Sequence, residues 1–185
     1  MTALVVGAAP LRAARILAVI LSGTLLLTLA AKIQIPFWPV PMTLHTLAVM
    51  ALALAAGPRL AVATLLGYLA AGAAGFPVFS GTPERGLGLA YMAGPTGGYL
   101  AGYLIAAGLV GALAAGRGLL GRVAAMLAGL TVIYALGLAW LALFVPADRL
   151  LAVGLAPFLL GDLVKVGLAA AGASALPALR RAVAR

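Results

Sequence analysis

The chain has 185 residues, of which 65% are hydrophobic and 8% are charged, with a net charge of +9. Soluble globular proteins carry about 25% charged residues, and a soluble fold of this size has too little interior to bury so much apolar surface, so the composition excludes an ordinary soluble domain. The positive charge indicates membrane orientation rather than nucleic-acid binding, because the basic residues lie between apolar runs.

The long apolar runs predict an all-α, polytopic membrane protein with six transmembrane helices in a single domain, residues 1–185. A helix needs about 20 residues to cross a hydrocarbon core of about 30 Å. A β-barrel would show short alternating segments instead. The second and third runs are short and flank Gly57-Pro58-Arg59, which favours a tight hairpin. The expected spans are about 12–31, 43–56, 58–74, 95–115, 122–145 and 157–177.

Three segments between the runs are expected to be irregular. The first, "KIQIPFWPVPM" at 32–42, holds three prolines, which forbid a regular helix, and it is suited to act as a lid. Residues 75–86 are rich in turn-forming and polar residues, and 146–156 is a short connection. The motif "GPTGG" at 94–98 predicts a sharp turn, but it lacks the lysine of a phosphate-binding loop.

Basic residues are distributed unevenly between the two sides of the predicted bundle. With six spans, both termini lie on one side. Eight of the twelve bases fall on that side, three on the other, and Lys165 lies inside a span. The positive-inside rule therefore predicts that both termini lie in the cytoplasm. The expected location is the cell (plasma) membrane of a bacterial-type cell. The first span alternatively resembles a signal peptide, but its apolar run is long for one.

The last span contains "GDLVK", which places Asp162 three residues before Lys165. This spacing puts both side chains on one helix face. They lie about 7 Å and 12 Å from the outer end of the helix at 1.5 Å per residue. Charges at this depth are costly, so they must face the bundle interior and pair or bind a ligand. A structural ion pair is one interpretation. The other is a polar site for a ligand that presents an amide or urea edge, because carboxylate accepts N–H bonds and ammonium donates to carbonyl oxygen.

Other polar and aromatic residues are expected near the same outer side. Trp38 and Tyr91 either line a pocket or anchor in the membrane interface, and His45 is either a ligand contact or a satisfied core residue. Ala14 and Ala18 form a small-residue pair that permits close helix packing. With no cysteine, one histidine and three acids, no metal site or cofactor is predicted. The candidate substrate-binding residues are Asp162, Lys165, Tyr91, Arg85, Ser80, Gln34, Trp38 and His45.

Four motifs together resemble one family over about residues 32–170. They are "PVPMTLHTLAVMALALAAGPR", "GYLAAGAAGFPVFSG", "GPTGGYLAGY" and "GDLVK". In this order and spacing they are similar to the BioY family, the biotin-specific substrate-binding (S) components of energy-coupling-factor (ECF) vitamin transporters.

The resemblance implies capture of biotin from the outer side by a six-helix bundle. It implies that Asp162 and Lys165 hold the ureido ring, that 32–42 is the lid, and that Ala14 and Ala18 dock on the ECF transmembrane coupling protein, which acts with ATPase subunits. The chain departs from the family pattern at His45, where glutamine is common, and at Leu100, where some relatives have an arginine that meets the biotin carboxylate. Arg85 or backbone amides are suggested as substitutes.

Two other functions remain as alternatives. One is an S component or transporter for another small vitamin-like heterocycle. The other is an intramembrane enzyme that uses Ser80 and His45, which the sequence disfavours because Ser80 lies in "FSGT" rather than in a nucleophile motif. The chain is therefore predicted not to be an enzyme, and it has no ATP-binding motif with which to drive uptake by itself.

Overall fold

A computed structural model describes residues 8–35 and 38–183, and the side chains of 13–34 and 38–173. The described chain is mainly helical, with a two-residue antiparallel ladder in which Gln34 pairs with Thr43 and Ile35 with Met42. The strands are β1 (Gln34–Ile35) and β2 (Met42–Thr43), and the helices are α1 (Ala8–Lys32), α2 (His45–Ala73), α3 (Gly88–Met92), α4 (Gly97–Leu113), α5 (Leu119–Leu141), α6 (Ala147–Gly154) and α7 (Ala156–Val183).

Helix α2 is a hairpin rather than one continuous rod. Gly57 interrupts it with φ 74° and ψ 174° and is followed by Pro58, whose missing amide proton prevents a regular helix across the break. The rings of His45 and Tyr68 lie 5.0 Å apart, whereas a straight helix would separate them by about 35 Å. The halves 45–56 and 58–73 therefore run antiparallel, with the turn where the Gly-Pro pair stands in the sequence.

Four helical stretches are long and apolar enough to cross a membrane, namely Ala13–Lys32, His45–Ala73, Leu119–Leu141 and Ala147–Ala173, and Gly97–Leu113 is a shorter apolar helix. Because α2 folds back, its two halves count separately. The described chain thus contains six apolar helices: α1, the two halves of α2, α4, α5 and α7.

The connections contain more helix than the sequence indicated. The segment 146–156, expected to be irregular, contains α6, and α3 precedes the "GPTGG" turn. Helix α5 begins at Leu119 and ends at Leu141, a few residues before the predicted 122–145. Pro146 explains part of this difference, because it adopts an extended backbone before α6 and cannot continue α5.

Glycines allow the helices to pack closely around a buried core. A Cβ at Gly102 of α4 would lie 2.8 Å from the Cα of Ile133 on α5, and one at Gly111 would lie 2.6 Å from the nitrogen of Pro58. Tyr68, Met50 and Met126 are fully buried in the core. The bundle has two ends: the lid end, formed by 33–44, 74–96 and 142–155, and the arginine end, formed by the Gly57 turn and residues 114–118.

Candidate ligand-binding site

A buried acid–base pair lies in the first turns of α7, close to the lid end. Asp162 and Lys165 are 4% and 8% exposed, and Lys165 Nζ lies 2.8 Å from Asp162 Oδ1. The buried residues of α7 recur at helical spacing on one stripe, which also contains Phe158, Val166 and Ala169, while the opposite face carries exposed leucines such as Leu160. The stripe therefore turns the pair into the bundle, and the apolar face points outward.

Every oxygen of the Asp162 carboxylate has a partner. Lys165 donates to Oδ1, and the hydroxyl of Tyr134 on α5 donates to Oδ2 at 2.6 Å. Lys165 also donates to the backbone carbonyl of Thr43 in β2 at 2.7 Å. Buried charges are tolerated when they are paired and hydrogen-bonded, and this cluster meets that requirement with groups from three separate parts of the chain. We call Asp162, Lys165, Tyr134 and the Thr43 carbonyl the ion-pair cluster.

A small cavity adjoins the ion-pair cluster. Its volume is about 20 Å³, which is room for about one water molecule. Three tyrosines and two threonines give it a polar rim, and Phe158 and Ile133 give it apolar walls. A bicyclic ligand needs more space than this, so the segment above the cavity has to move to admit one. The lining residues are Val40, Pro41, Thr43, Thr46, Tyr99, Tyr103, Ile133, Tyr134, Phe158, Asp162 and Lys165.

A second polar cluster ties the segment 33–44 to the loop 75–86. The hydroxyl of Ser80 donates to the side-chain oxygen of Gln34. Arg85 donates to the carbonyl of Pro39 at 3.0 Å, and its guanidinium lies 5.6 Å from the centroid of the Trp38 ring. The Trp38 side chain is 78% exposed. We call Gln34, Trp38, Ser80 and Arg85 the lid contacts.

Lys32 fixes the base of the loop that carries the lid contacts. Its ammonium donates to the carbonyl of Phe79 at 3.0 Å, and to the carbonyl and hydroxyl of Thr82 at 2.8 and 2.9 Å. The loop is therefore attached to the end of α1 through Lys32, the first residue of the predicted lid.

A row of aromatic rings connects the two clusters. His45 packs against Tyr103 at 4.6 Å and against Tyr68 at 5.0 Å, and Phe79 continues the row to Tyr91, with which it stacks at 4.9 Å. Among the described residues, His45 Nε2 is the buried side-chain polar atom without a hydrogen-bond partner. An unpartnered buried acceptor or donor costs about 1–3 kcal/mol, so this nitrogen marks a place where a ligand atom would be stabilising.

Tyr91 closes the aromatic row at the lid end. Its hydroxyl donates to the carbonyl of Ser80 at 2.8 Å. Burial raises the pKa of Tyr91, with smaller opposing contributions from Thr96 and Arg85. The phenol therefore keeps its proton at neutral pH and remains a donor, which supports the loop that carries Ser80.

The structure separates the predicted site residues into groups. Asp162 and Lys165 line the cavity, and His45 lies behind Tyr103. Gln34, Trp38, Ser80 and Arg85 form the lid contacts, and Tyr91 supports the loop that carries Ser80. Ala14 and Ala18 are exposed on α1. No group of three or more potential metal ligands of the His, Cys, Asp or Glu type occurs in the part of the chain that the structure describes.

Other helices contribute residues to the cavity that were not predicted from the sequence. Tyr134 on α5, together with Tyr99 and Tyr103 on α4, surrounds Asp162. A signal was present, because Tyr99 and Tyr103 are spaced i, i+4 on one helix face and a tyrosine hydroxyl inside an apolar bundle needs a partner. For Tyr134 that partner is Asp162 on α7, whereas the hydroxyl of Tyr99 donates to the carbonyl of Gly154 at 2.7 Å.

Comparison with known proteins places the chain in a family. The model of the BioY family matches residues 2–185. The chain belongs to the BioY family. A probable biotin transporter BioY of Pyrococcus horikoshii is 39% identical over 144 residues, which cover 78% of this chain and 85% of the relative. The biotin transporter BioY of Thermotoga maritima is 37% identical over 149 residues, which cover 80% and 86%.

A solved structure shares the fold. A crystal structure described as the S-component for biotin from an ECF-type ABC transporter matches with a TM-score of 0.77 and 24% identity, over 90% of this chain and 92% of that one. The fold is therefore that of an S component, and the apolar helices are those of a multi-pass membrane protein. The resemblance found in the sequence motifs is confirmed.

Proposed function

We propose that this chain captures biotin and mediates its uptake as the S component of an ECF-type transporter. Support comes from membership of the BioY family together with relatives described as biotin transporters. The structural observation that carries the proposal is the ion-pair cluster: a buried carboxylate and a buried ammonium, side by side, at a cavity that is also lined by Val40, Pro41 and Thr43. The protein is a transport component and catalyses no reaction.

The ion-pair cluster offers what a cyclic urea requires. A ureido ring presents two N–H donors on either side of one carbonyl acceptor. The Asp162 carboxylate is the acceptor for an N–H group, and the Lys165 ammonium is the donor for the carbonyl oxygen. Both are charged, so these hydrogen bonds are stronger than neutral ones. Tyr134 keeps the carboxylate oriented from the side of α5.

The Thr43 carbonyl occupies the position that the ligand carbonyl would take. It accepts a hydrogen bond from Lys165 at 2.7 Å, and it belongs to β2 at the end of the lid. In this proposal the ureido oxygen takes its place when β2 shifts. Lid movement and ligand binding are therefore coupled through one donor, and Lys165 contacts the ligand directly in this proposal.

The remaining predicted residues have different roles. Gln34, Trp38, Ser80 and Arg85 hold the lid shut over the bound ligand rather than forming the ureido site. His45 lies behind Tyr103, which lines the cavity, and Tyr91 supports the loop that carries Ser80. We assign both to the part of the ligand beyond the ureido ring, which they can reach only when the cavity enlarges. Ala14 and Ala18, exposed on α1, are assigned to docking on the ECF coupling protein, which acts with ATPase subunits.

The orientation follows from the charges at the two ends. Arg59, Arg117 and Arg122 lie at the arginine end, where α1 begins and α7 ends. We propose that this end, with both termini, faces the cytoplasm of a bacterial-type cell membrane. The lid end then opens outward. All six apolar helices cross the membrane, with the short halves of α2 crossing as a pair.

The function is tested by binding measurements on the purified full chain. Biotin and a panel of other vitamins are titrated by calorimetry, and ligand that co-purifies is identified by mass spectrometry. The proposal expects tight binding of biotin alone. A clear preference for another vitamin would refute the biotin assignment and support the alternative S component.

The orientation has a separate test that the absence of cysteine makes simple. Arg117→Cys and Asp148→Cys place single thiols at the arginine end and the lid end. In intact cells, a membrane-impermeant maleimide should label the Asp148→Cys variant and spare the Arg117→Cys variant. The reverse pattern would overturn the proposed orientation.

A further inference from the structure

A second opening in the described part of the chain is much larger than the cavity beside Asp162. A groove of about 940 Å³ lies between α1, the first half of α2 and α7. Leu29, Leu47 and Leu168 form its walls, and its lining is apolar apart from Arg122. Its side chains offer no acceptor for the N–H groups of a ureido ring, and Arg122, at one end, is the one side chain of the lining that could pair with a carboxylate. The groove is therefore separate from the proposed biotin site.

The groove lies between α1 and α7, which both pack on α2 but not closely on each other. Helices α1 and α7 both contact α2, but they have at most marginal contact with one another. The floor between them carries small side chains, among them Ala51 of α2 and Ala169 of α7. Close-packed interiors leave few voids larger than a water molecule. An opening of this size, on a face that meets the membrane, therefore admits molecules from the membrane.

One end of the groove is charged. Arg122 lines it at the arginine end and is half-buried. One of its N–H groups donates to the carbonyl of Ala173 at 3.3 Å, and a guanidinium has five such donors. Arg59 and Arg117 lie at the same end of the bundle. An occupant that fits this pattern has a long apolar part and an anionic head.

The groove also has the length of one lipid chain. Its α2 side runs from Leu44 to Ala55, which is about 17 Å at 1.5 Å per residue. The groove therefore runs between the two ends of the bundle, and its length is similar to that of one acyl chain, which fills about half of a hydrocarbon core of about 30 Å. We infer that the groove binds an acyl chain of an anionic phospholipid from the leaflet on the arginine side, with Arg122 binding the phosphate.

The occupant inferred here is distinct from the coupling protein. Ala14 and Ala18, which are assigned to that protein, lie nearer the start of α1: Ala18 precedes the first groove residue of this helix, Leu26, by eight residues, or about 12 Å. A second copy of the chain is disfavoured, because Arg122 would face an apolar surface with few acids: the chain has three acidic residues in all, and Asp162 is buried.

Native mass spectrometry of the full chain, released from nanodiscs that contain equal amounts of phosphatidylglycerol and phosphatidylcholine, tests the inference. The wild type should retain phosphatidylglycerol in preference to phosphatidylcholine. Arg122→Gln should lower the phosphatidylglycerol-bound fraction by about five-fold. Ala51→Phe, which fills the groove, should abolish retention of either lipid.

Matched controls separate the groove from general membrane contact. Arg59→Gln removes a base at the same end outside the groove, and Ala101→Phe adds a ring to an exposed position on α4; both should retain lipid as the wild type does. Thermal unfolding of each variant checks that it folds. Equal retention of the two lipids by the wild type, unchanged retention in both groove variants, or a dimer in place of the lipid adduct would each overturn the inference.

Discussion

The ion-pair cluster and the lid contacts lie at the same end of the molecule, but they differ in how deeply their charged groups are buried and in how these groups are paired. In the cluster, three side chains from two helices are buried and every carboxylate oxygen is partnered. In the lid contacts, Arg85 reaches a backbone carbonyl and an exposed tryptophan ring. Removing one member of a buried charge pair costs about 3–5 kcal/mol, whereas exposed pairs contribute about 0–1 kcal/mol.

This difference indicates that one region determines the affinity for the ligand and the other determines how the ligand enters and leaves the site. The side chains of the cluster are buried and hydrogen-bonded to one another, so they are suited to determine which ligand binds and how tightly. The lid contacts are weak enough to break on opening, so they are suited to determine how fast the ligand leaves. Thr43 connects the two regions, because it lies in β2, directly after the predicted lid, and its carbonyl accepts a hydrogen bond from Lys165.

Removing the charge of Asp162 should have the largest effect. Asp162→Asn leaves Lys165 buried without its counter-ion and exchanges a carboxylate acceptor for an amide. We expect biotin affinity to fall by about 100-fold or more, as measured by calorimetry. Asp148→Asn, in α6 at the same end, is the matched control and should bind as the wild type does. Equal affinity in the two variants would show that the cluster is structural only.

Removing the hydroxyl of Tyr134 should have a smaller effect in the same direction. Tyr134→Phe deletes one hydrogen bond to a charged group, and such bonds contribute about 1.5–3 kcal/mol. Affinity for biotin should fall by roughly ten-fold. The lost affinity should appear mainly in the dissociation rate, and an unchanged dissociation rate would remove Tyr134 from the site.

Replacing His45 separates a ligand contact from a core residue. His45→Phe fills the same aromatic row without the unpartnered nitrogen, so thermal stability should stay equal or rise, because an unsatisfied buried group is removed. If Nε2 bonds the ligand, biotin affinity falls by roughly five-fold at the same time. Unchanged affinity in a stabilised protein would assign His45 to the core.

Breaking the lid contacts should have the smallest effect on affinity. Arg85→Gln removes a cation–π contact, which contributes about 0.5–1 kcal/mol at an exposed site. The dissociation rate should rise by roughly two- to five-fold, with little change in the association rate, as measured by stopped-flow binding. Arg149→Gln, a base at the same end on α6, should leave both rates unchanged. A hundred-fold loss in Arg85→Gln would place Arg85 in the ligand site itself.

Local patterns in the sequence were sufficient for the features that depend on neighbouring residues. The turn at Gly57-Pro58 follows from backbone chemistry, and the common face of Asp162 and Lys165 follows from their spacing along α7. The helical character of α6 was missed, because a short segment rich in apolar and charged residues resembles a connection until it packs against the bundle.

The hydrogen bonds that join distant parts of the chain at the site could not be predicted from local sequence patterns. The Tyr134–Asp162 hydrogen bond joins residues 28 positions apart, and the Lys165–Thr43 bond joins residues 122 positions apart. Both depend on the rotation and axial shift of one helix against another. Packing determines those quantities, and here it depends on glycines such as Gly102 that bring α4 and α5 together.

The central claim is that the Asp162–Lys165 pair contacts the ureido ring itself. The most direct test is a double-mutant cycle that crosses wild type and Lys165→Met with biotin and an analogue in which sulfur replaces the ureido oxygen. Because a hydrogen bond to a charged group is lost or weakened, the wild type should prefer biotin by about ten-fold or more, and Lys165→Met should show almost no preference. The same preference in both proteins would contradict direct contact between Lys165 and the ureido carbonyl.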